Sequence, residues 1–429
     1  MLVSSNLFKK SSKSRKVRCE ICANYCKIAD GAYGICKQHK NINGELFDES
    51  FGIVSSLNAD PIEKKPLYHF LPGTLTYSVG GFGCNMGCLH CQNYMISKEF
   101  DKISDRLNIL PETIVENAIS QGCKSIAWTY NEPTIHLPFN KKTSLLGRRK
   151  NLKIIYVSNG YMSSQALSEI LEFVDAFNID LKSMSQNFYK KICGADLNIV
   201  LDNLKRIYEA DKHLEITNLI INDYNDSAEE ITKLANFIVD NLGCNVPLHF
   251  SRAFPYYKLN DIAPTSEDKL FEAKKIANEC GLEYVYIGNL ECDTNTYCSN
   301  CGETLLKRNS YSTEVLNKNK KCMKCGKCSA TCPSFNEMDI KPHQFVSYVA
   351  NENIEELVNS KSLWKCLSCF ACVERCPRDV KPGKLIDAAR QLVVRQKGQN
   401  YLTPDEIPEL LDPELPQQLL VSAFRRYRR

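Results

Sequence analysis

Between about residues 75 and 291, short runs rich in β-branched and aromatic residues alternate with segments whose apolar positions recur at helical spacing. The strand candidates are Leu75–Val79, Ser125–Trp128, Ile154–Ser158, Ala176–Asp180, Leu214–Leu219, Pro247–Phe250 and Tyr284–Ile287. Helical patterns lie between them, among them Glu112–Gln121, Ser163–Phe173, Ser227–Leu242 and Glu267–Glu279. Strand–helix alternation of this kind predicts an α/β fold with a parallel sheet, open or closed as a (β/α) barrel.

Polar residues interrupt the pattern at one recurring place. The segment Cys84–Cys91 follows the first strand and Glu132 follows the second. Ser158 and Asn159 end the third, and Asp180 and Lys182 end the fourth. Glu215 is in the fifth, and His249 and Arg252 close the sixth. A barrel of this type builds its site at the C-terminal ends of its strands, so these residues converge on one mouth.

The flanks read differently. Residues 1–74 form an N-terminal arm, flexible and basic to about residue 18, then a Cys-rich segment. The barrel spans 75–291, and 292–320 is a Cys-containing linker. Residues 321–395 form a helical domain, including a helical pattern over Gln344–Val358. The stretch 396–429 is a Pro-containing basic tail, ending in a solvated or docking cluster of arginines.

Composition narrows the class. The chain has 429 residues, 43% hydrophobic and 24% charged, enough for two or three domains. A net charge of +4 is small for this length and gives no reason to expect a nucleic-acid partner. There is no run of about 18 apolar residues, so no membrane span is expected. The first residues lack the apolar core of a signal peptide. The 22 cysteines cluster at metal-ligand spacings, which predicts a reducing cytoplasmic setting, and an anaerobic one.

Two cysteine patterns carry the chemistry. Cys84, Cys88 and Cys91 form a C-x3-C-x2-C loop, and three close thiolates suit a [4Fe–4S] cluster with one iron left open. The run C-x2-C-x2-C-x3-C-P occurs twice, at Cys322, Cys325, Cys328, Cys332 and at Cys366, Cys369, Cys372, Cys376. In such pairs the fourth cysteine serves the other cluster. One closed cluster would take Cys322, Cys325, Cys328 and Cys376; the other would take Cys366, Cys369, Cys372 and Cys332.

The loop and its surroundings resemble the radical S-adenosylmethionine (SAM) superfamily. DPIEKKPLYHFLPG (60–73), GCNMGCLHCQN (83–93), WTYNEPT (128–134), VSNGYMS (157–163), IDLKS (179–183), PLHFSRAFP (247–255) and YVYIGN (284–289) narrow the resemblance. They are similar to the pyruvate-formate-lyase-activating-enzyme-like branch, and in particular to the AmmeMemoRadiSam system enzymes. The resemblance covers about residues 17–310. It implies that SAM is chelated at the open iron and cleaved reductively to a 5′-deoxyadenosyl radical that abstracts hydrogen. It puts Glu132 near the SAM amino group, Ser158 and Asn159 near its ribose or carboxylate, Asp180 and Lys182 at a cation or SAM site, and His249 at the mouth. Plainer readings stand beside these: a helix-start carboxylate, an Asn-Gly turn, an ion pair and a core histidine.

The spacer between the two ferredoxin-type runs is long and helical, which suggests an α-helical dicluster ferredoxin domain. Residues 320–428 resemble the C subunit of heterodisulfide reductases, which relays electrons. Together the resemblances imply three [4Fe–4S] clusters and SAM as cofactors. The partners implied are a low-potential electron donor or heterodisulfide-reductase-like subunits, and by analogy a protein substrate.

Other cysteines divide into two groups. Cys19, Cys22, Cys26 and Cys36 have metal-ligand spacing, for zinc or a further cluster. Cys298 and Cys301 resemble half of a zinc ribbon whose other half falls on Cys322 and Cys325, which the ferredoxin pattern already uses. Cys123, Cys193, Cys244 and Cys280 stand alone and read as buried apolar residues. The reading is an enzyme fused to its own electron relay; the competing one is an electron-transfer subunit that carries a radical SAM domain.

Overall fold

Eight strands form the sheet that carries the site. They are β1 (Ser56–Pro61), β2 (Leu75–Gly80), β3 (Ser125–Trp128), β4 (Lys153–Ser158), β5 (Ala176–Asp180), β6 (His213–Ile220), β7 (Leu248–Arg252) and β8 (Val285–Gly288). The computed structural model describes residues 3–11, 14–299, 302–316, 332–350, 353–374 and 381–394. Strands β2 to β8 pair in parallel and in chain order, and β1 joins β2 antiparallel at the edge. Edge strands β1 and β8 share no ladder, so the barrel is partial. Ile126, Ile154, Ile155, Tyr156, Ala176, Phe177, Ile216 and Leu248 are fully buried. Burial on both faces explains why these strands read as apolar runs and not as alternating ones.

The intervening helices start where the sequence offers a cap. The Ser163 hydroxyl accepts the amide of Ala166 at 3.0 Å and opens α1 (Ser164–Phe173). Ser227 does the same for Glu230 at 3.2 Å at the head of α2 (Ala228–Leu242). Each such cap satisfies an amide that has no partner within the helix. In α2, Ile231, Leu234, Ala235, Ile238 and Leu242 are buried, one face at helical spacing.

Three expectations are corrected. The N-terminal arm is built into structure: Val3–Ser4 pairs with Phe47–Asp48, and Phe8–Lys10 pairs with Val17–Cys19. A local core of Val17, Ile21, Ile28 and Leu46 holds those strands, too sparse a signal to stand out from the basic residues around it. The barrel sheet also begins before residue 75, because β1 belongs to it. Finally, the stretch read as a linker contains a three-stranded antiparallel sheet, Thr296–Tyr297, Thr304–Asn309 and Ser312–Val315. Arg308 anchors it, with its guanidinium 4.3 Å from the Tyr68 ring centre and bonded to the Tyr68 carbonyl at 2.8 Å.

The chain divides into two units, Met1–Lys320 and Lys321–Arg429. In the second, helices Pro342–Ala350, Ile354–Val358, Ser362–Lys365, Ala371–Glu374 and Pro382–Val394 gather around Met338, Phe345, Leu357, Leu363 and Ile386. The helical pattern expected over Gln344–Val358 is therefore two helices. Asp339 ties their surroundings together, accepting from the amides of Ile340, Lys361 and Ser362 at 3.0, 3.1 and 2.8 Å.

Candidate functional site

The loop after β2 is held in shape by asparagines. Asn131 accepts the Gly81 amide through Oδ1 and donates to the Gly83 carbonyl through Nδ2, both at 2.9 Å. Asn85 donates to the Tyr161 carbonyl at 2.8 Å. Asn159 Nδ2 donates to Asn85 Oδ1 at 2.8 Å and lies 3.7 Å from Cys84 Sγ. On the far side, the amides of Gly87 and Leu89 donate to the carbonyls of Cys193 and Ile192 at 2.6 and 3.0 Å. Those two residues lie in a single π-helical turn, Tyr189–Cys193.

The loop borders a cavity of about 340 Å³ at the C-terminal ends of the parallel strands. Cys84, Cys88 and Cys91 line it, together with Glu132, Ser158, Asn159, Asp180 and Lys182. Eight of the residues singled out in the sequence thus share one space. His249 does not line it. It faces a neighbouring cavity of about 660 Å³ with Tyr68 and Arg308, and its Nε2 lies 2.7 Å from Glu215 Oε2. Glu215, fully buried, also accepts the amides of Tyr68 and His69 at 3.0 and 2.7 Å and meets His213 at 2.9 Å. The expected mouth residue is thus committed to a buried hub.

Glu132 lines the cavity and caps the turn Pro133–His136, the helix-start carboxylate of the plainer reading. Its Oε1 accepts the Thr134 amide at 3.0 Å, the Thr134 hydroxyl at 2.5 Å and the Ser158 hydroxyl at 2.8 Å. Its Oε2 accepts the Asn159 amide at 2.9 Å. Protein donors thus crowd Oε1, while Oε2 takes the Asn159 amide and a longer, shared contact from the Ser158 hydroxyl at 3.1 Å. In the geometry it pins the end of β4 to the turn after β3 while lining the cysteine cavity. Burial raises its pKa, and these donors oppose the rise.

Asp180 and Lys182 form an ion pair at 3.0 Å. Burial alone would lower the lysine pKa, but Asp180 and the neighbouring thiols raise it well above its ordinary value. A fixed ammonium therefore stands at the cysteines. Burial pushes Cys84 up to about 12 and also raises Cys91. Cys88 moves the other way, downward, through its pairing with the Cys193 thiol, aided by Lys182 and Lys98. Cys193 is buried in the core, as expected, and Cys244, also expected inside, is exposed.

In the second unit, Cys332 shares one pocket with Cys366, Cys369 and Cys372. Arg390 shapes that loop, donating to the carbonyls of Leu363 and Cys366 and, at 2.6 Å, to the Ser368 hydroxyl. Cys322, Cys325, Cys328, Cys376 and Cys301 lie outside the described residues. Cys19, Cys22, Cys26 and Cys36 lie together in the N-terminal lobe, close enough for their charges to interact.

Among the described residues, no group of three or more His, Cys, Asp or Glu side chains is already closed to metal-binding distance. The donor sets nevertheless suit iron–sulfur clusters: three thiols facing one cavity beside a fixed cation, and four facing another.

Three residues that shape the site, Asn85, Asn131 and Cys193, escape the sequence reading. Asn85 and Asn131 sit inside the quoted motifs, next to residues singled out. Nothing in the sequence distinguishes Cys193.

Residues 78–238 match the model of the Radical SAM superfamily, and residues 318–380 match that of the 4Fe-4S dicluster domain. An uncharacterized protein of Methanocaldococcus jannaschii, MJ0808, is 42% identical over 326 residues, covering 75% of this chain and 97% of that one. The C subunit of the ferredoxin:CoB-CoM heterodisulfide reductase of Methanosarcina acetivorans is 32% identical over 99 residues, 23% of this chain and 39% of its own length. A solved domain of pyruvate-formate lyase-activating enzyme from Bacteroides vulgatus aligns at 21% identity, covering 38% of this chain and 99% of that one, with a TM-score of 0.34. Family match, cysteine loop and strand-end cavity lead to one conclusion: the chain belongs with the Methanocaldococcus protein in the radical SAM superfamily, and it carries a C-terminal 4Fe–4S dicluster ferredoxin domain resembling the C subunit of heterodisulfide reductase.

Proposed function

We propose that this chain is a radical SAM enzyme that receives electrons from its own dicluster domain. The observation that carries the reading is the shared cavity of Cys84, Cys88, Cys91, Asp180 and Lys182. When bound, the cluster and SAM supply one-electron cleavage of the sulfonium and hydrogen abstraction. Cys84, Cys88 and Cys91 would hold the cluster.

The chain's own residues orient and insulate. Asn159 and Asn85 hold the cysteine loop against β4. Glu132 keeps the Ser158–Asn159 turn in register and so acts as a positioning residue. The Lys182 ammonium favours negative charge at the thiolates and at a bound carboxylate. Cys332, Cys366, Cys369 and Cys372 would hold one relay cluster; Cys322, Cys325, Cys328 and Cys376 would hold the other. Covalent attachment raises the donor's effective concentration to roughly millimolar. A protein substrate, as in activating enzymes, is the finer form of the reading.

The test is anaerobic SAM cleavage, scored as 5′-deoxyadenosine, in wild type and Cys369→Ser with the first cluster verified spectroscopically. Failure of the variant with a biological low-potential donor, but not with dithionite, supports the relay. Equal rates with both donors sink it. A second reading is an electron-transfer subunit, favoured by the resemblance to the reductase's C subunit. A stable complex with a disulfide reductase that survives Cys84→Ser would favour that one.

A further inference from the structure

Four thiols in the N-terminal lobe belong to none of the sites above. Strand Val17–Cys19 pairs with Lys27–Ile28, and the Cys19 amide donates to the Cys26 carbonyl at 2.9 Å. That hairpin sets Cys19 beside Cys26, with Cys22 at the turn between them, where the Tyr25 amide donates to the Cys22 carbonyl at 3.2 Å. The chain then returns over the hairpin. A Cβ at Gly34 would lie 3.6 Å from Cys26 Sγ, and the turn closed by the Lys37 amide on the Gly34 carbonyl carries Cys36. Cys19 and Cys22 both lie within electrostatic reach of Cys26 and Cys36. Cys19, Cys22 and Cys36 are buried, and none of the four is in a disulfide.

The lobe around them has a small core of its own, Val17, Cys19, Ile21, Ile28 and Leu46. So small a core contributes little by itself, and a bound metal would add to it. We propose that Cys19, Cys22, Cys26 and Cys36 hold one structural zinc ion, and that this ion braces the loop of Cys84, Cys88 and Cys91. Zinc is the choice because the surroundings are tight: the same point on Gly34 is 3.3 Å from Ile28 Cδ1, and His39 Nδ1 is 3.6 Å from Cys36 Sγ. A single ion with four sulfurs at about 2.3 Å makes a smaller demand on those surroundings than a four-iron cube would. The four thiols do not yet converge on a single point, so binding requires them to move together.

The brace is a chain of contacts. Asn24 Nδ2 lies 3.7 Å from Cys22 Sγ and donates to the Asn85 carbonyl at 2.6 Å. Asn85 Oδ1 in turn accepts from Asn159, the neighbour of Cys84. Cys22 forms a β-bridge with Met162, one residue from the carbonyl that holds Asn85. On the other side, a Cβ at Gly83 would stand only 2.7 Å from the Cys36 carbonyl oxygen. The zinc half is independent of SAM cleavage; the brace rests on the cluster assignment.

Metal analysis of the full chain, with zinc-edge X-ray absorption, tests the first half. We expect about one zinc per chain with four sulfur neighbours at about 2.3 Å. Cys36→Ser should lose the zinc and keep the iron of the dicluster domain, and Cys298→Ser should keep both metals. Zinc-free wild type, iron lost in place of zinc in Cys36→Ser, or zinc lost in Cys298→Ser overturns the site. If Cys36→Ser does not fold, a four-sulfur zinc retained in Cys298→Ser still supports it. Asn24→Ala tests the brace: zinc should stay, while the electron paramagnetic resonance spectrum of the reduced open cluster with SAM shifts. An unchanged spectrum refutes the brace and leaves the zinc site standing.

Discussion

Asn159 Nδ2 lies 3.7 Å from Cys84 Sγ while donating to Asn85 Oδ1 at 2.8 Å, so one amide serves the first cysteine of the loop and its neighbour. The backbone amide of the same residue is fixed by Glu132 at 2.9 Å. The end of β4 therefore sets the cysteine loop through a single side chain.

Substitution Asn159→Asp exchanges that donor for an acceptor facing another acceptor. Leaving such buried groups unsatisfied costs about 1–3 kcal/mol. The expected result is reduced iron at the first cluster, with the dicluster iron retained. Iron content and the spectrum of the SAM-bound cluster read it; both unchanged would remove Asn159 from the support of the loop.

Gly81→Ala strikes the same loop from beneath. The added Cβ would stand 2.4 Å from His136 Nε2, which lies 2.9 Å from the Phe82 carbonyl. The ring must leave that contact, at a cost of about 1–3 kcal/mol. A lower thermal midpoint is expected, and an unaltered one would show that the loop shifts freely.

The Glu215 hub makes a pH prediction. Burial by itself would raise this carboxyl, but bonds to His213 and His249 hold its pKa well below the ordinary value. A depressed carboxyl stabilises the fold above its unfolded pKa of about 4.3 and loses that contribution as pH falls below it. Stability should therefore drop on acidification below pH about 4, and Glu215→Gln should be less stable at neutral pH with a shallower acid slope. Parallel acid slopes in denaturant melts of the two proteins would contradict the assignment.

Arg308→Met removes the cation over Tyr68 and its bonds to the Tyr68 and Thr294 carbonyls, the latter at 2.7 Å. A desolvated cation–π contact is worth about 2 kcal/mol. Limited proteolysis within residues 292–316 should become faster while the barrel stays resistant. Equal cleavage rates would mean that the sheet is held by its other contacts.

Much of this molecule is legible before folding is considered. Cysteine spacing is a local property, fixed by the reach of a short backbone segment, so the Cys84–Cys91 loop and the paired runs could be read directly. The strands could be read too, because burial on both faces writes long apolar runs into the sequence. Their order, and the antiparallel strand Ser56–Pro61 at the edge, come only with the fold.

What a polar side chain does is decided elsewhere. Glu132 and His249 both stand at strand ends, yet Glu132 lines the cavity while holding Thr134, Ser158 and Asn159, and His249 turns to Glu215 in a neighbouring one. Asp180 and Lys182 do pair with each other, and the pair stands in the cysteine cavity. Cys193 looks isolated in sequence and stands against Cys88 because a π-turn carries it there. Arg308 looks like a linker charge and is buried on Tyr68, 240 positions away. The sequence by itself determines the alternation of strands and helices and the spacing of the cysteines, and hence the family. Only the tertiary structure decides which carboxylates, histidines and thiols face the cavity, because a hydrogen-bond partner is chosen by proximity in the fold and not along the chain.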